Sequence, residues 1–492
     1  YYLWQVDGIS KLIKKNGSLI NTALKNDKYK RGQLASRKFR ARPYFEPLRL
    51  LWFADTIKGN IEVTKRPRTD NLRHASLFLQ RNLSETGSPK DGLMCFVGGA
   101  HMVHGHANGM DMELYGKGQV LGVDRGRGRY RKEIHENYSR LFAAHNTVIV
   151  NGNSRSEGGW VNLGINPVKL VRMEPLPKDE AVSPYHSFTQ TRFMDNKGDK
   201  AEAEQQRTLA LIRTSPTTGY YVDVFRSKSK LPDEYHDYLY HNIGDKLTFA
   251  NKDLDLTHTP QRYMANADLP WVQNRQYRHP GWHYFKDVKS SKVYSKDVEA
   301  LFSIKKLKGK PVFMGLHMPG FNNREYTSVK APLTHEAPGP YKKLPTPTLV
   351  IRKQGEAWKT PFVVVYEPFS GNQNNNRIQS VEKIMQKGIY KGLKVTSNPD
   401  QKKIIQYIIT LDDHEKFKSK ELDILLRGSF AIVTTDASGK ALSLYLGAGT
   451  KLKYKNISIK GKSKEVGAYL DLKADNPKFK CNKNGIGTFS ID

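Results

Sequence analysis

Three histidines lie close together in the segment GGAHMVHGHANGMDMELYGKG, namely His101, His104 and His106. Residues two apart in an extended strand project to the same side, so His104 and His106 would share one face. An imidazole titrates near neutral pH, which suits proton transfer, and a neutral imidazole also binds metal ions. We therefore expect one of these two histidines to act on a substrate and the other to hold a metal.

Asp124 and His145 would complete that metal site. Asp124 ends the next predicted strand, QVLGVD, and His145 opens a third predicted strand in AAHNTVIVNG. Zinc takes imidazole nitrogens and carboxylate oxygens as ligands, with water or a fourth side chain in the remaining position. The pattern predicts a zinc site with a structural role at His106, Asp124 and His145. The alternative is a polar loop that holds no metal.

An arginine-rich loop, DRGRGRYR, follows the same strand. Its alternating arginines are Arg125, Arg127, Arg129 and Arg131. In an extended segment the planar guanidinium groups would fan onto one face, a geometry suited to carboxylate or sulfate recognition. We predict that the loop binds an anionic substrate, and the alternative is a solvated basic hairpin.

Two tyrosines, Tyr130 and Tyr138, flank this hairpin. Either could donate a proton to a leaving group, and the competing role is packing or stacking against a substrate. The neighbouring carboxylates of Asp111, Glu113 and Glu133 have no spacing that sets two of them at a fixed distance across a cleft. A two-carboxylate glycoside hydrolase is therefore disfavoured.

The elements that must position these residues change type along the chain. The first ~65 residues show helical apolar spacing, and short apolar runs separated by Gly, Asn and Asp begin at Ala75. This pattern predicts an α+β protein that is mostly β. We expect a helical domain in residues 1–68, a large antiparallel β-sandwich in 69–375 and a smaller C-terminal β region in 376–492, with one helix-like turn in 372–390.

The charge of the chain indicates its class of partner. Lys and Arg number 80 against 48 Asp and Glu, a formal net charge of +32. Such a field favours nucleic acid, an anionic membrane or an acidic polysaccharide. The sequence contains no helix-turn-helix, RNA-recognition or zinc-finger pattern, and no apolar stretch approaches the ~20 residues of a spanning helix. We therefore predict an anionic polysaccharide as the partner, and neither nucleic acid nor membrane.

A lysine-rich stretch near the C-terminus, KLKYKNISIKGKSKEVG, alternates basic with apolar residues as an exposed strand face would. It could hold a polyanion at a distance from the chemistry. The alternative is that its charges protect an exposed sheet edge.

The segments HGHANGMD, VLGVDRGRGRY and NYSRLFAAHNTVIVNG resemble, in order and spacing, the motifs of the heparinase II/III-like family of polysaccharide lyases. That family has an incomplete α/α toroid followed by antiparallel β-sheets, with the active site in the groove between them. The resemblance implies that residues 1–68 are the C-terminal remnant of a truncated toroid. Further toroid residues of the active site would then lie upstream of Tyr1.

The resemblance also implies roles for particular residues. His104 would be the catalytic histidine, and His106, Asp124 and His145 the metal site found in some members. His101 and Asn108 would contact the substrate. The family has Asp where this chain has Asn108, which puts a metal or charge role for that position in doubt.

The activity implied by the resemblance is β-elimination from a uronic-acid-containing, sulfated polysaccharide, giving an unsaturated uronate end. Ulvan is the first expectation, then heparin-like or chondroitin-like glycosaminoglycans, because the arginine loop and the net charge of +32 exceed what a carboxylate alone requires. An alginate lyase and a non-catalytic polyanion-binding β-sandwich are the alternatives. We expect a secreted or periplasmic protein whose signal peptide is not in this chain.

Overall fold

The computed structural model describes residues 67–99, 106–126, 132–153, 167–177, 179–195, 202–264, 279–335, 337–482 and 487–491. The predicted helical domain in 1–68 therefore lies almost wholly outside the described residues. In the described part, antiparallel strands make up four sheets, and helical structure is confined to short turns. The prediction of a mostly β protein is confirmed.

The first sheet is a meander in which strand order follows the chain. It contains β1 (Thr69–Leu72), β2 (Leu77–Asn82), β3 (Leu93–Gly98), β4 (Asp111–Gly116) and β5 (Gln119–Gly122). Buried residues alternate along these strands, since one face packs on the core. The next strand, β6 (Val148–Val150), leaves the meander and pairs in another sheet.

Two larger sheets form the central sandwich. The eight-stranded sheet has the order β12 (Lys246–Phe249), β15 (Val298–Ile304), β16 (Val312–Met318), β19 (Ala357–Ser370), β10 (Gly219–Ser229), β9 (Ala203–Arg213), β8 (His186–Asp195) and β7 (Lys169–Glu174). The six-stranded sheet has the order β13 (Thr257–His258), β14 (Lys286–Ser290), β17 (Arg324–Ala331), β18 (Thr346–Gln354), β11 (Tyr235–His241) and β6. One hydrophobic core joins both sheets to the meander.

The fourth sheet is built only from residues after Ser370. Its order is β20 (Ile378–Gln386), β21 (Ile389–Ser397), β22 (Ile404–Ser419), β23 (Ile424–Asp436), β24 (Ala441–Tyr454), β25 (Ile457–Gly461) and β28 (Gly487–Ile491), while β26 (Ala468–Asp471) pairs with β24 and with β27 (Lys478–Cys481). A second core joins it to the eight-stranded sheet, where Phe188 stacks on Phe430 with ring centroids 4.3 Å apart. The domain boundary at 375/376 stays a prediction.

The helix-like turn expected in 372–390 is instead β20. A register shift between Ile378 and Ser380 places Ile378 and Val381, three residues apart, on the buried side. Apolar residues spaced by three imitate a helix, because the bulge interrupts the two-residue period of the strand.

The helical turns are short. In the described ranges five are 3₁₀ turns, at Arg73–Ala75, Phe142–Ala144, Trp282–Tyr284, Gly339–Lys343 and Pro399–Gln401, and one is a π turn, at His135–Ser139. None of the helices in the described ranges is long and apolar enough to cross a membrane.

Candidate metal and active site

Three chain segments meet where the meander touches the six-stranded sheet. Asp111 begins β4, Asp124 lies two residues after the end of β5, and His145 lies three residues before β6. Strand β11 pairs with β6, and an isolated bridge between Gly122 and Asn242 joins the end of β5 to the end of β11. The end of β11 therefore brings Asp124 close to His145.

The side chains of Asp111, Asp124 and His145 form one group, in which Asp111 and His145 are buried and Asp124 is half-buried. Nδ1 of His145 lies 3.1 Å from Oδ2 of Asp124 and 3.4 Å from Oδ2 of Asp111. One ligand atom from each residue lies within 4.8 Å of the other two, so the group could hold a metal ion.

The backbone fixes both carboxylates. Oδ1 of Asp111 accepts hydrogen bonds from the N–H groups of Met112 and Asn146, each at 2.7 Å. Oδ1 of Asp124 accepts one from the N–H of Gly126, also at 2.7 Å. Each carboxylate therefore keeps one oxygen oriented by backbone donors and presents the other to His145, the arrangement that positions metal ligands.

The charges in this group are strongly coupled. Burial alone would lower the pKa of His145, but the charge of Asp124 and hydrogen bonding to both carboxylates raise it to about 10. Burial would raise the pKa of Asp124, but the His145 charge holds it well below its usual range. Burial and the charge of Asp124 raise the pKa of Asp111 to about 6. His145 is therefore a cation between two carboxylates when no metal is bound.

The residues present fit a metal ion. Two carboxylate oxygens and an imidazole nitrogen suit zinc as well as harder divalent ions. Nδ1 of His145 is the nitrogen that faces both carboxylates and would be the ligand atom, whereas Nε2, on the far side of the ring, is buried without a hydrogen-bond partner among the described residues. A metal would displace the proton of His145, because a ligating imidazole must be neutral.

Asn146 clamps the strands around this group. Its Nδ2 donates to the carbonyl oxygens of Met112, at 2.8 Å, and Val123, at 3.1 Å. Its Oδ1 accepts from the backbone N–H of His241 at 2.6 Å and from Nδ1 of the same residue at 3.1 Å. Asn146 thereby holds β4, the end of β5 and β11 together. It also fixes the tautomer of His241.

A buried arginine supports the group from the eight-stranded sheet. Arg207 on β9 pairs with Asp223 on β10, and its Nη1 donates to the carbonyl oxygens of Met110, at 2.5 Å, and Asn146, at 2.6 Å. These carbonyls belong to the residues beside Asp111 and His145. The sequence around Arg207, QRTLALIR, gave no indication of this contact.

His106 lies beside the group. Its ring centroid is 5.5 Å from that of His145, and burial together with the positive charge of His145 lowers its pKa to about 3. His106 lies outside any strand, so the prediction that it shares a strand face with His104 is wrong for His106. Asp111, rather than His106, has its ligand atom within the 4.8 Å group. The predicted set of metal ligands did not include Asp111, which lies three residues after Asn108, the position at which the family has Asp.

Arg125 is an internal side chain. It is 3% exposed, its Nε donates to Oγ of Ser139 at 2.7 Å, and its Nη1 donates to the carbonyl of Leu333. Its guanidinium also lies 5.2 Å from the ring centroid of Tyr138. The prediction that Arg125 fans outward with the other loop arginines is therefore corrected, since its donors are used inside the protein.

Tyr138 is wholly buried in the π turn, with 0% exposure. Its hydroxyl lies 3.4 Å from Nε2 of His241. Nδ1 of His241 donates to Asn146, which leaves Nε2 to accept the proton of Tyr138. Burial raises the pKa of Tyr138 above its ordinary value. No substrate could reach this hydroxyl in the conformation described.

The remaining predicted residues lie outside the described residues, with one exception. Those outside are His101, His104, Arg127, Arg129, Tyr130 and Arg131. The exception is Asn108, which is half-buried before β4. The backbone beside it is fixed, since the N–H of Ala107 donates to the carbonyl of Arg140 at 2.7 Å.

Two segments match known families. Residues 93–176 match the heparinase II/III-like C-terminal family, and residues 378–471 match the C-terminal domain of endo-acting ulvan lyases. The first match includes Asp111, Asp124 and His145. The resemblance of this chain to the heparinase II/III-like lyases is thereby confirmed.

The relatives include one curated protein over most of this chain. The chain is 39% identical over 427 residues to the endo-acting ulvan lyase of Formosa agariphila, covering 84% of this chain and 51% of that protein. It thus spans about half the length of this relative. The solved heparan sulfate lyase HepC from Pedobacter heparinus is 12% identical, covers 72% of this chain and 43% of its own, and has a TM-score of 0.38. That score is too low to inform the site.

Proposed function

We propose that this protein is a polysaccharide lyase that cleaves a sulfated, uronic-acid-containing polysaccharide of the ulvan type by β-elimination. The observation that carries the proposal is the 39% identity over 427 residues to an endo-acting ulvan lyase. The match of residues 378–471 to the C-terminal domain of such lyases supports the same substrate class.

The reaction needs a base, an acid and a group that neutralises the substrate carboxylate. The base removes the proton at C5 of the uronic acid, and the glycosidic oxygen leaves C4 with a proton from the acid. Charge neutralisation lowers the barrier because negative charge develops on the carboxylate as the C5 proton leaves. We assign the base role to His104, whose imidazole would titrate near the working pH.

For the acid we favour Tyr130 over Tyr138. The hydroxyl of Tyr138 is enclosed and directed at His241, whereas Tyr130 lies in sequence between Arg129 and Arg131 of the arginine-rich segment. Arg127, Arg129 and Arg131 would bind carboxylate and sulfate groups together with His101 and Asn108. Arg125 would instead anchor the base of the loop through Ser139 and Leu333.

The metal group would have a structural role. We propose zinc held by Asp124 and His145, with Asp111 or His106 completing the set. A bound zinc ion would neutralise the two carboxylates of Asp111 and Asp124 and hold the three segments together. The chain's own residues would do the chemistry, and His106, two residues from His104, would link the metal group to the base.

The substrate also suggests where the protein acts. A high-molecular-weight polysaccharide does not enter a cell, so we propose a secreted or periplasmic enzyme. Its partner would be an anionic polysaccharide rather than nucleic acid.

A panel of polymers tests the proposal. The 492-residue chain would be incubated with ulvan, heparan sulfate, chondroitin sulfate and alginate, and the ultraviolet absorbance of the unsaturated uronate would be followed. We expect an increase with ulvan that is at least tenfold faster than with alginate. A faster rate on alginate would move the assignment to an alginate lyase, and ulvan binding without any absorbance change would support the non-catalytic alternative.

A further inference from the structure

A row of basic side chains crosses four neighbouring strands of the C-terminal sheet. Lys416 on β22 lies directly opposite Arg427 on β23, Arg427 opposite Lys451 on β24, and Lys451 opposite Lys460 on β25. Directly opposite residues project to the same face of a sheet. Neighbouring strands are about 4.8 Å apart, so the four cations span roughly 14 Å.

A second row reinforces the first. Lys418 and Lys453 lie two residues from Lys416 and Lys451 along their strands, so they share the same face, and Leu425 lies between them. We call the six cations in these two rows the basic face, and they are Lys416, Lys418, Arg427, Lys451, Lys453 and Lys460. Four of them are exposed, and Lys451 and Lys453 are half-exposed.

The opposite side of the same strands fixes the direction of the basic face. Phe417, Leu426, Leu452 and Ile459 pair across β22 to β25 between the basic rows. All four are buried in the core of the C-terminal region. The basic face therefore points outward to solvent.

The charges of the basic face are not neutralised within the described part of the chain. None of the six cations forms a salt bridge with a described acidic residue, although exposed lysines elsewhere, such as Lys296 with Asp253, do so. Like charges directly opposite each other on neighbouring strands are destabilising. The row places three such pairs in succession, a cost to the fold that an external polyanion would offset.

Edge protection does not explain the whole row. At the row, β23, β24 and β25 each pair on both sides, whereas β22 pairs with β21 only over Ile404–Ile409 and leaves the edge at Lys416 open. Charges that prevent edge-to-edge association belong on unpaired strands. Arg427 and Lys451 lie on the two strands at the centre of the row, where no edge needs protection.

From these observations we infer that the basic face is a second polysaccharide-binding site, separate in sequence from the proposed catalytic residues, which holds the same sulfated uronate polymer. This inference rests on the proposed function for the identity of the polymer. Two rows of cations at strand spacing match the successive charges of a linear polyanion better than a single small anion. Holding the polymer here would raise its local concentration at the catalytic residues.

Two matched variants test the inference. One carries Lys416→Gln, Arg427→Gln, Lys451→Gln and Lys460→Gln. The control carries Lys289→Gln, Lys292→Gln, Lys308→Gln and Lys310→Gln, which removes the same charge from exposed positions of the sandwich. Binding would be measured by affinity electrophoresis in gels containing ulvan. We expect roughly tenfold weaker binding for the first variant and less than about twofold for the control, because net charge alone contributes little.

Activity on two substrate lengths gives a second readout. The basic-face variant should raise KM on polymeric ulvan and leave the turnover of a short ulvan oligosaccharide unchanged, since a short chain cannot reach both sites. Equal loss of binding in the variant and its control would overturn the inference. A variant in which the three lysines of the row are replaced by arginine keeps the charge and should bind ulvan with the affinity and the KM of the parent. Loss of both in this arginine variant would also overturn the inference.

The outcomes separate this inference from the proposed function. If ulvan binding depends on the basic face but no unsaturated product forms, the proposed function fails and the binding site stands. If product forms and the basic-face variant binds like its control, only the binding site fails. The fourfold glutamine variant should have a melting temperature equal to or higher than that of the parent, because like charges have been removed. If its melting temperature falls, the single variant Arg427→Glu replaces it in the same binding assay.

Discussion

Arg207 and Asp223 form a bidentate ion pair inside the eight-stranded sheet, with Nε–Oδ1 and Nη2–Oδ2 distances of 2.9 and 2.6 Å. Both side chains have 0% exposure. The same guanidinium also holds the carbonyl oxygens beside Asp111 and His145. The Arg207–Asp223 pair therefore connects the eight-stranded sheet to the backbone that positions Asp111 and His145.

Replacing Arg207 should destabilise the whole protein. In Arg207→Ala the Asp223 carboxylate would remain buried without a counter-charge, which costs about 3–5 kcal/mol. Urea unfolding would measure the loss. Arg192→Ala is the control, because Arg192 is 42% exposed and lies 4.0 Å from Glu204, and it should cost less than about 1 kcal/mol. Equal costs for the two variants would show that the buried pair is not a structural anchor.

If Asp111, Asp124 and His145 form a metal site, the purified protein should contain a fixed number of metal ions per chain. Protein purified without added metal should contain zinc, and His145→Ala should lose it because the imidazole nitrogen is the ligand between the two carboxylates. Elemental analysis measures the content, and exposed His258→Ala serves as the control. Chelation should lower the melting temperature of the parent and of His258→Ala but not of His145→Ala. An unmetallated parent, or equal metal in all three proteins, would reduce the group to a buried polar cluster.

The two tyrosines should differ in their effect on turnover. Tyr130→Phe should lower kcat by about 100-fold, as loss of a general acid does. Tyr138→Phe should change kcat by less than about threefold, because the hydroxyl is buried against His241. Initial rates on ulvan decide between them. The reverse ranking would mean that the π turn opens in the substrate complex and exposes Tyr138.

His317 should make stability depend on pH. Burial would lower its pKa, but Glu299 and Glu367, at 3.6 and 3.8 Å, raise it to about 9. Because the folded pKa lies above the unfolded value, the stabilisation is complete below about pH 6.5 and is lost as the pH rises through about 9. His317→Gln should therefore cost about 1–2 kcal/mol near pH 6 and little near pH 10. A cost that is equal at both values would contradict this pairing.

Much of the fold followed from alternation in the sequence. The run LMCFVGG, a short apolar run that ends in glycines, is the strand β3, and the burial of its residues alternates along most of the strand. The prediction was wrong where that period broke. The bulge in β20 spaces its buried residues Ile378 and Val381 by three, which imitates a helix-like turn.

The site was predictable only in part. Asp124 and His145, 21 residues apart, were correctly expected to meet because both lie at the ends of short strands. Asp111 and Arg207 could not be identified, since their contacts depend on how whole sheets pack. Arg125 was placed on the surface by its loop context, but Leu333, 208 residues away, accepts its hydrogen bond. Contacts over such separations leave no local pattern.

Digestion of ulvan in ¹⁸O-labelled water tests the central claim most directly. Elimination adds no water to the cleaved bond, whereas hydrolysis leaves a solvent oxygen in one product. Mass spectrometry of a short digest should therefore show unlabelled products in which every fragment with a newly formed non-reducing end is lighter by one water than its hydrolysis counterpart, and His104→Ala should form none of them while melting like the parent. Incorporation of ¹⁸O, or unchanged product formation by His104→Ala, would contradict the account of this protein as a lyase that uses that histidine.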